Sequence, residues 1–433
     1  MSAEALDISL NIAALPGDAG VQALRQQAAD IFARTGLPGR RNEDWKYTDL
    51  SRLTATLGET WWKASVAETA IPDNLGIEGL DAYRLVFVAG EFQPQQSTIP
   101  DGVQLLPLAE LLADDPDERA HCLFKLDESA PLFNGVLAAN TALAKDGLCA
   151  CIGENIKLDK PLYVIYESNN TAHVLNGVML GQGAEATLIE HFVGFDTNSA
   201  GLSNIATYIR LQDNASLTHY RLQLEGVKQF HIGRAEVKQS RDSRYILHAV
   251  ELGGNLSRAD IVVDLAETGA SCELNGLFVA SGRQHMDHHT RIDHNAPHCV
   301  SREKYRTVLD GRSHAVFNGK IVVAEGAVKT DSAQSNANLL LSKNAEIDTK
   351  PELEIYHDDV KCAHGVTVGQ LDETQLFYLK SRGLSEQEAR QLLTFAFADE
   401  VLVAMNIPRV RRFIEHEAFA KLPNMSDLEG LLG

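Results

Sequence analysis

The chain has 433 residues, 44% hydrophobic and 23% charged, an ordinary globular composition with enough apolar matter to exclude wholesale disorder. Its 39 lysines and arginines face 59 aspartates and glutamates, a net charge of −20, which excludes a general nucleic-acid or anionic-membrane binder because phosphates would repel it. No apolar run approaches the roughly 18 residues a bilayer span needs, and the acidic start MSAEALDISL reads as neither secretory signal nor transit peptide, so a cytoplasmic chain is expected.

Residues 1–147 read as a mixed, largely helical region. Val21, Leu24, Ala28, Ile31 and Phe32 recur at helical spacing, and Gly36 with Pro38 stops that helix. Tyr83–Phe92 reads as a strand and Leu132–Ala144 as a helix. Trp45, Trp61 and Trp62 are expected to pack this region or an interface. Cys149 and Cys151 lie in a strand-like run where both point to one face, and are expected as buried core thiols. The remaining cysteines (Cys122, Cys272, Cys299, Cys362) form no C-x-x-C pair and no disulfide framework.

Helical periodicity then disappears. Over 148–369 the chain shows short β-rich runs at Leu162–Tyr166, Ala186–Val193, Ser216–Leu224, Tyr245–Leu252, Ser271–Val279, Ala315–Val323 and Glu352–Tyr356, punctuated by Gly, Asn and Asp. Two similar starts, at Gly183 and Asn214, are 31 residues apart, a period that marks stacked β units. Absence of intervening helices excludes a doubly wound α/β fold. A β-sandwich stays open; a parallel β-helix explains the loose repeat better. Helices return over 370–433: Asp372–Lys380 before Gly383, then Ser385-Glu-Gln-Glu388 as a capping box opening a helix, then Pro408 and a short helix bearing Arg409, Arg411 and Arg412.

Three stretches could carry chemistry. Cys362 and His364, two apart on an extended segment, share a face and could ligate iron, zinc or a cluster edge; two ligands are too few, so others must come from elsewhere or from another chain. His285–Cys299 holds five histidines. Strand alternation puts His285, Asp287, His289, Arg291 and Asp293 on one face and His288 and His294 on the other, so a hydrogen-bonded polar ladder competes with metal binding by His285, His289 and His294. Gly181-Gln-Gly183-Ala-Glu-Ala186 loosely fits a dinucleotide fingerprint, but a strand-like run follows where that motif requires a helix. No phosphate-binding P-loop occurs, so any ATP hydrolysis belongs to another subunit. No catalytic residue is identified.

These residues resemble a known family. Lys361-Cys-Ala-His-Gly-Val-Thr-Val-Gly-Gln-Leu-Asp-Glu-Thr-Gln-Leu-Phe-Tyr-Leu-Lys-Ser-Arg-Gly383, continuing to Val401, looks like the C-terminal signature of the SufB/SufD family, on its SufD side, of the bacterial SUF iron–sulfur cluster assembly machinery. Gly36–Thr48, His285-x-Asp287 through Pro297, Tyr305 and Val316–Lys320 resemble further family motifs. The resemblance implies a right-handed parallel β-helix core between N-terminal and C-terminal helical regions. It implies a non-catalytic scaffold that pairs with a SufB-like paralogue and docks a SufC-like ABC-type ATPase on its C-terminal helices. It implies a transient iron–sulfur cluster at the shared interface, with His364 as ligand and Cys362 as the motif cysteine. The family also associates a reduced flavin with the assembled complex, and an isolated chain would pair with a second copy. The competing readings are a β-helix enzyme acting on acidic carbohydrate, disfavoured by the −20 charge, and a stand-alone metal-binding protein built on the His-rich stretch.

Overall fold

The computed structural model describes residues 8–58, 61–63, 75–99, 103–113, 118–194 and 199–422. The extreme termini, 1–7 and 423–433, which the sequence reading included in its end regions, lie outside them. The N-terminal segment carries helices α1 (Ala19–Thr35), α2 (Ser51–Leu57), α3 (Leu108–Ala113), α4 (Glu118–Phe124) and α5 (Gly135–Leu143) around strands β1 (Tyr83–Val88), β2 (Glu91–Phe92) and β3 (Gln104–Pro107). The expected single strand over 83–92 is instead a hairpin. Ala89 and Gly90 both take positive φ, 47° and 79°, which turns the chain back so that Phe92 pairs with Phe87. The helix expected from Leu132 begins at Gly135, because Asn134 caps it by accepting from the Val136 and Leu137 amides.

Strands follow without intervening helices: β4 (Leu148–Ile152), β5 (Leu162–Glu167), β6 (Ala172–Leu180), β7 (Glu185–Val193), β8 (Leu202–Leu211), β9 (Ser216–Leu224), β10 (Phe230–Gln239), β11 (Arg244–Glu251), β12 (Leu256–Leu265), β13 (Ser271–Ala280), β14 (His285–His294), β15 (Val300–Leu309), β16 (His314–Val323), β17 (Asp331–Leu340), β18 (Glu346–Ile355) and β19 (Lys361–Gly369). They alternate between two sheets, ordered β19-β17-β15-β13-β11-β9-β7-β5-β1-β2 and β18-β16-β14-β12-β10-β8-β6-β4-β3. Pairing is parallel throughout except β1 with β2 and β3 with β4. This is a parallel β-solenoid of about 7 turns. Each turn spends one strand in each sheet, so Ser216 lies opposite Glu185 and Arg244 opposite Ser216. Asn155, Gly183, Asn214, Asp242, Gly269, His298 and Lys329 all have positive φ and recur at one corner of successive turns. The repeat legible at Gly183 and Asn214 is this corner, where Gly, Asn and Asp tolerate the left-handed conformation.

Inward-facing Leu188, Leu217, Leu247, Leu274, Ala259, Ile261 and Ile292 fill the bore with apolar bulk. Polar groups enter it in compensated sets. Glu190 bonds His219 at 2.9 Å and Thr207 at 2.8 Å, and Glu251 bonds His288 at 3.2 Å. Two outer layers cover the sheets. Helices α1 and α5, with Trp45, Trp61 and Trp62, pack on Leu202, Phe230, Ile232 and Leu256 of the sheet containing β8. After β19 come α6 (Glu373–Ser381), α7 (Glu386–Leu402) and α8 (Pro408–Ala420). The expected capping box opens α7, with Ser385 and Glu388 bonded reciprocally. Ala398, Val401, Leu402, Val410 and Ile414 then cover Tyr163, Ile189, Tyr220, Val250 and Val308 of the other sheet.

Cys149 and Cys151 share a face of β4, but not the core face. Leu148, Ala150 and Ile152 point inward, and the two cysteines are half-buried. They line an apolar groove with Leu106, Leu111, Cys122, Leu123, Met179 and Tyr208. The expectation of core thiols is corrected by one residue of register, which exchanges the faces of a strand.

Candidate functional site

Strand β19 ends its sheet, with β17 on one side and, among the described residues, no strand on the other. Its inward row continues the bore: Cys362 lies opposite Ser332 and His364 opposite Gln334. On any earlier turn these side chains would be enclosed by the next strand. Here Cys362 is half-buried and His364 is exposed, so both look out of the solenoid's open end.

Polar chains run from these two positions into the bore. Below Cys362, Ser332 bonds Ser301 at 2.7 Å and Ser301 bonds His294 at 2.9 Å. Burial, with Asp331 adding to it, pushes the Cys362 thiol up, so the free chain holds a thiol rather than the thiolate a metal prefers. Below His364, Gln334 donates to Glu303 at 2.6 Å. Burial pushes the Glu303 carboxyl up to about 7. Thr349 of β18 bonds Asn336, a further inward residue of this end. The open end is thus lined by Ser, Gln, Asn, Glu and Thr, where the row of Gln334 and Glu303 continues on the preceding turns as Leu274 and Leu247.

The His-rich stretch is strand β14, and its faces divide as the alternation predicted. His285 and His289 point outward; His288 and His294 point into the bore. Outward, Arg258 bonds Asp260 at 3.0 Å, Asp287 at 2.7 Å and the Asp44 carbonyl at 2.6 Å, with its guanidinium 3.9 Å over Trp45. His289 reaches Asp287 at 3.0 Å, and Thr48 donates to the same carboxylate at 2.5 Å. Burial raises the Asp287 carboxyl, but Arg258 and His289 outweigh it and hold the group well below the usual carboxylate range. Burial pushes His285 and His294 down to about 4. The structure therefore does not converge His285, His289 and His294 on one point, since a sheet separates His294 from the other two. It converges His289 with Asp287 and Arg258 in the hydrogen-bonded ladder.

Sequence reading missed Thr48, Arg258 and Glu303. Their partners are distant in sequence, and for Arg258 and Glu303 the signal is the period itself: Arg258 and Asp287 are register partners one turn apart, as are Glu303 and Gln334.

The C-terminal helices expose a second surface. Phe377 and Tyr378 on α6 are 74% and 54% exposed. Between α6 and α7 runs an apolar groove lined by Thr374, Gln375, Tyr378, Leu379, Leu392, Leu393 and Ala396. The terminal arginines are internal staples: Arg409 donates to the Glu78 carbonyl, and Arg411 pairs with Asp399 and Glu415.

Comparison with known proteins decides the family. The model of the SufBD core domain of the SUF FeS cluster assembly system matches residues 163–397, and that of the SufBD N-terminal region matches residues 16–164. The chain belongs to the SufBD family. It is 34% identical over 414 residues to the iron–sulfur cluster assembly protein SufD of Escherichia coli K12, covering 92% of each chain. It is 34% identical to an iron–sulfur cluster assembly SufBD family protein of Synechocystis, over 87% of this chain and 86% of the relative. Similarity to SufD of Bacillus subtilis is 27% over 64% of each chain. The SufBD core match ends within α7, so it embraces the solenoid and the turn that carries Cys362 and His364.

Proposed function

We propose that this SufD homologue is a non-catalytic scaffold of iron–sulfur cluster assembly, working with a SufB-like paralogue and a SufC-like ABC-type ATPase in the cytoplasm. The observation that carries this reading is the bare terminal strand β19, with Cys362 and His364 on its bore-facing row. The free edges of β18 and β19 offer unpaired backbone groups to a partner's strands. A partner docked there would bring its own ligands over His364, completing a site that two residues cannot make alone. The cluster is cargo, formed at that interface and passed on.

In this reading the segments 1–147, 148–369 and 370–433 serve as cover, scaffold and ATPase dock. The inner faces of α7 and α8 are spent on the solenoid, so the dock is α6 and the groove between α6 and α7. Because α7 also touches the solenoid through Glu400, which accepts from Arg306 at 2.6 Å, ATP-driven movement of the dock has a mechanical path to β15, two strands from β19. Closure of the ATPase pair would open the scaffold interface and present the imidazole of His364 to iron.

The test is anaerobic cluster assembly by the purified ternary complex. His364→Ala is expected to cut cluster yield at least tenfold, with the unfolding midpoint of the chain unchanged because His364 is exposed. Full yield with alanine at 364 sinks the ligand assignment.

A further inference from the structure

On the outer face of the other sheet's last two strands, the described residues hold one group of three metal-capable side chains: His314, Glu346 and Asp348. Their ligand atoms all lie within 4.8 Å of one another, and His314 Nε2 is 2.8 Å from Asp348 Oδ2. Register builds the group. His285, His314 and Glu346 are direct partners across β14, β16 and β18, and Asp348 stands two residues beyond Glu346 on the same face. Among the described residues neither carboxylate has a lysine or arginine partner. Lys350, the next outward residue on β18, is engaged by Glu43 at 3.1 Å and Glu352 at 2.9 Å. Two carboxylates thus share the site with one imidazole.

A second observation comes from His285, only 8% exposed, whose ring meets that of His314 edge-on at 4.8 Å between centroids. Asp287 accepts from Arg258, His289 and Thr48. The single hydroxyl proton of Thr48 is thereby committed to Asp287. Thr48 Oγ1 must then accept from His285 Nε2, 2.8 Å away. In the neutral ring that leaves Nδ1 as a lone pair, and no described residue donates to it. That lone pair, on the ring packed against His314, is open to a cation or a water.

We propose that His314, Glu346 and Asp348 form a binding site for one divalent first-row transition ion such as Fe²⁺, with the His285 ring packed against His314. Mixed nitrogen and carboxylate ligands suit ions of this class over Ca²⁺ or Mg²⁺. Three ligands on two adjacent strands leave coordination positions open, the character of a site that holds and releases an ion. The site is distinct from Cys362 and His364, which sit on the bore-facing side of the opposite sheet, and it stands whether or not the assembly reading does.

The test is anaerobic titration of the full chain with Co²⁺, followed by its d–d absorption, alongside equilibrium dialysis against Fe²⁺. One equivalent is expected to bind. Asp348→Asn keeps the size of the side chain and can still accept the His314 hydrogen bond, and it is expected to weaken binding at least tenfold. His314→Ala is expected to abolish binding. A Cys362→Ala/His364→Ala chain is expected to bind as the wild type does. No retained ion in the wild-type chain, undiminished affinity in Asp348→Asn and His314→Ala, or loss confined to the Cys362/His364 variant would each overturn the site.

Discussion

The two ends of the solenoid are finished differently. At the first turn, β2 and β3 run antiparallel to their neighbours and close both sheets, with α3 packed beside β3 and α4 beside β6. At the last turn, β18 and β19 end their sheets bare. A stacked repeat needs a terminal cap to protect its core and its strand edges. Among the described residues one end is capped and the other is not, and the uncapped end carries the exposed His364. The outward face of β18 reads Glu346, Asp348, Lys350, Glu352 and Glu354, and Pro351 cannot donate to a neighbouring strand. Charge and proline at an edge discourage indiscriminate strand pairing. On the proposed reading, the difference leaves the last turn open for a selected partner.

The interiors differ in the same sense. The cover over β12 and β14 is specified by an enclosed ion network centred on Arg258, whereas the last turns hold short chains of hydrogen-bonded polar groups. Arg258→Ala should therefore give the largest stability loss. It leaves Asp260 and Asp287 buried without their cation and removes the stack on Trp45, a change worth about 3–5 kcal/mol. Urea unfolding of the whole chain measures it. A loss below about 1 kcal/mol would mean that water reaches this network and that the covered and open ends are not as unlike as the geometry makes them.

Glu303 sharpens the contrast from the open end. Its carboxyl is pushed up to about 7 by burial, against an ordinary glutamate value near 4.3 in the unfolded chain. A raised carboxyl favours folding at low pH. As pH rises past the unfolded value, the unfolded chain ionises first and stability falls, and the penalty is complete once pH exceeds the folded value. Glu303→Gln removes that penalty and can still share a hydrogen bond with Gln334. The variant should match the wild type near pH 4 and gain roughly 2–3 kcal/mol at pH 8. Denaturation midpoints of both proteins across that range decide it, and a pH-independent difference would show that Glu303 is not the titrating group.

This division also explains what could be read in advance. The recognised runs at Leu162, Ala186, Ser216, Tyr245 and Ser271 are strands of one sheet, whose outer face is covered by apolar α7 and α8. Their partners β6, β8, β10 and β12 were passed over. Asn204 in β8, and Arg258 and Asp260 in β12, interrupt the apolar pattern because they bond the N-terminal segment that folds over them, and Thr207 because it bonds Glu190 within the bore. Alternation within a strand was enough to divide the histidines of β14. It could not supply Thr48, more than two hundred residues away, or the pairing of His314 with Asp348, which needs the register of successive turns. Cys362 and His364 were visible as a candidate pair because both lie within three residues of one strand. Their exposure was not visible, since it depends on β19 being last.

The smallest expected effect tests the same distinction on the C-terminal side. Phe377 is 74% exposed, while Phe419 of α8, 6% exposed, packs against the solenoid layer. Burying an aromatic ring stabilises by several kcal/mol, and an exposed one contributes little. Phe377→Ser should thus alter the stability of the isolated chain by no more than about 0.5 kcal/mol. The same substitution should weaken ATPase association, because the ring stands beside the groove between α6 and α7 that the proposed dock uses. Measuring both on one preparation separates the two causes. Lost association with unchanged stability assigns Phe377 to a partner. Lost stability would make α6 part of the chain's own cover, and the bare surfaces would then be confined to β18 and β19.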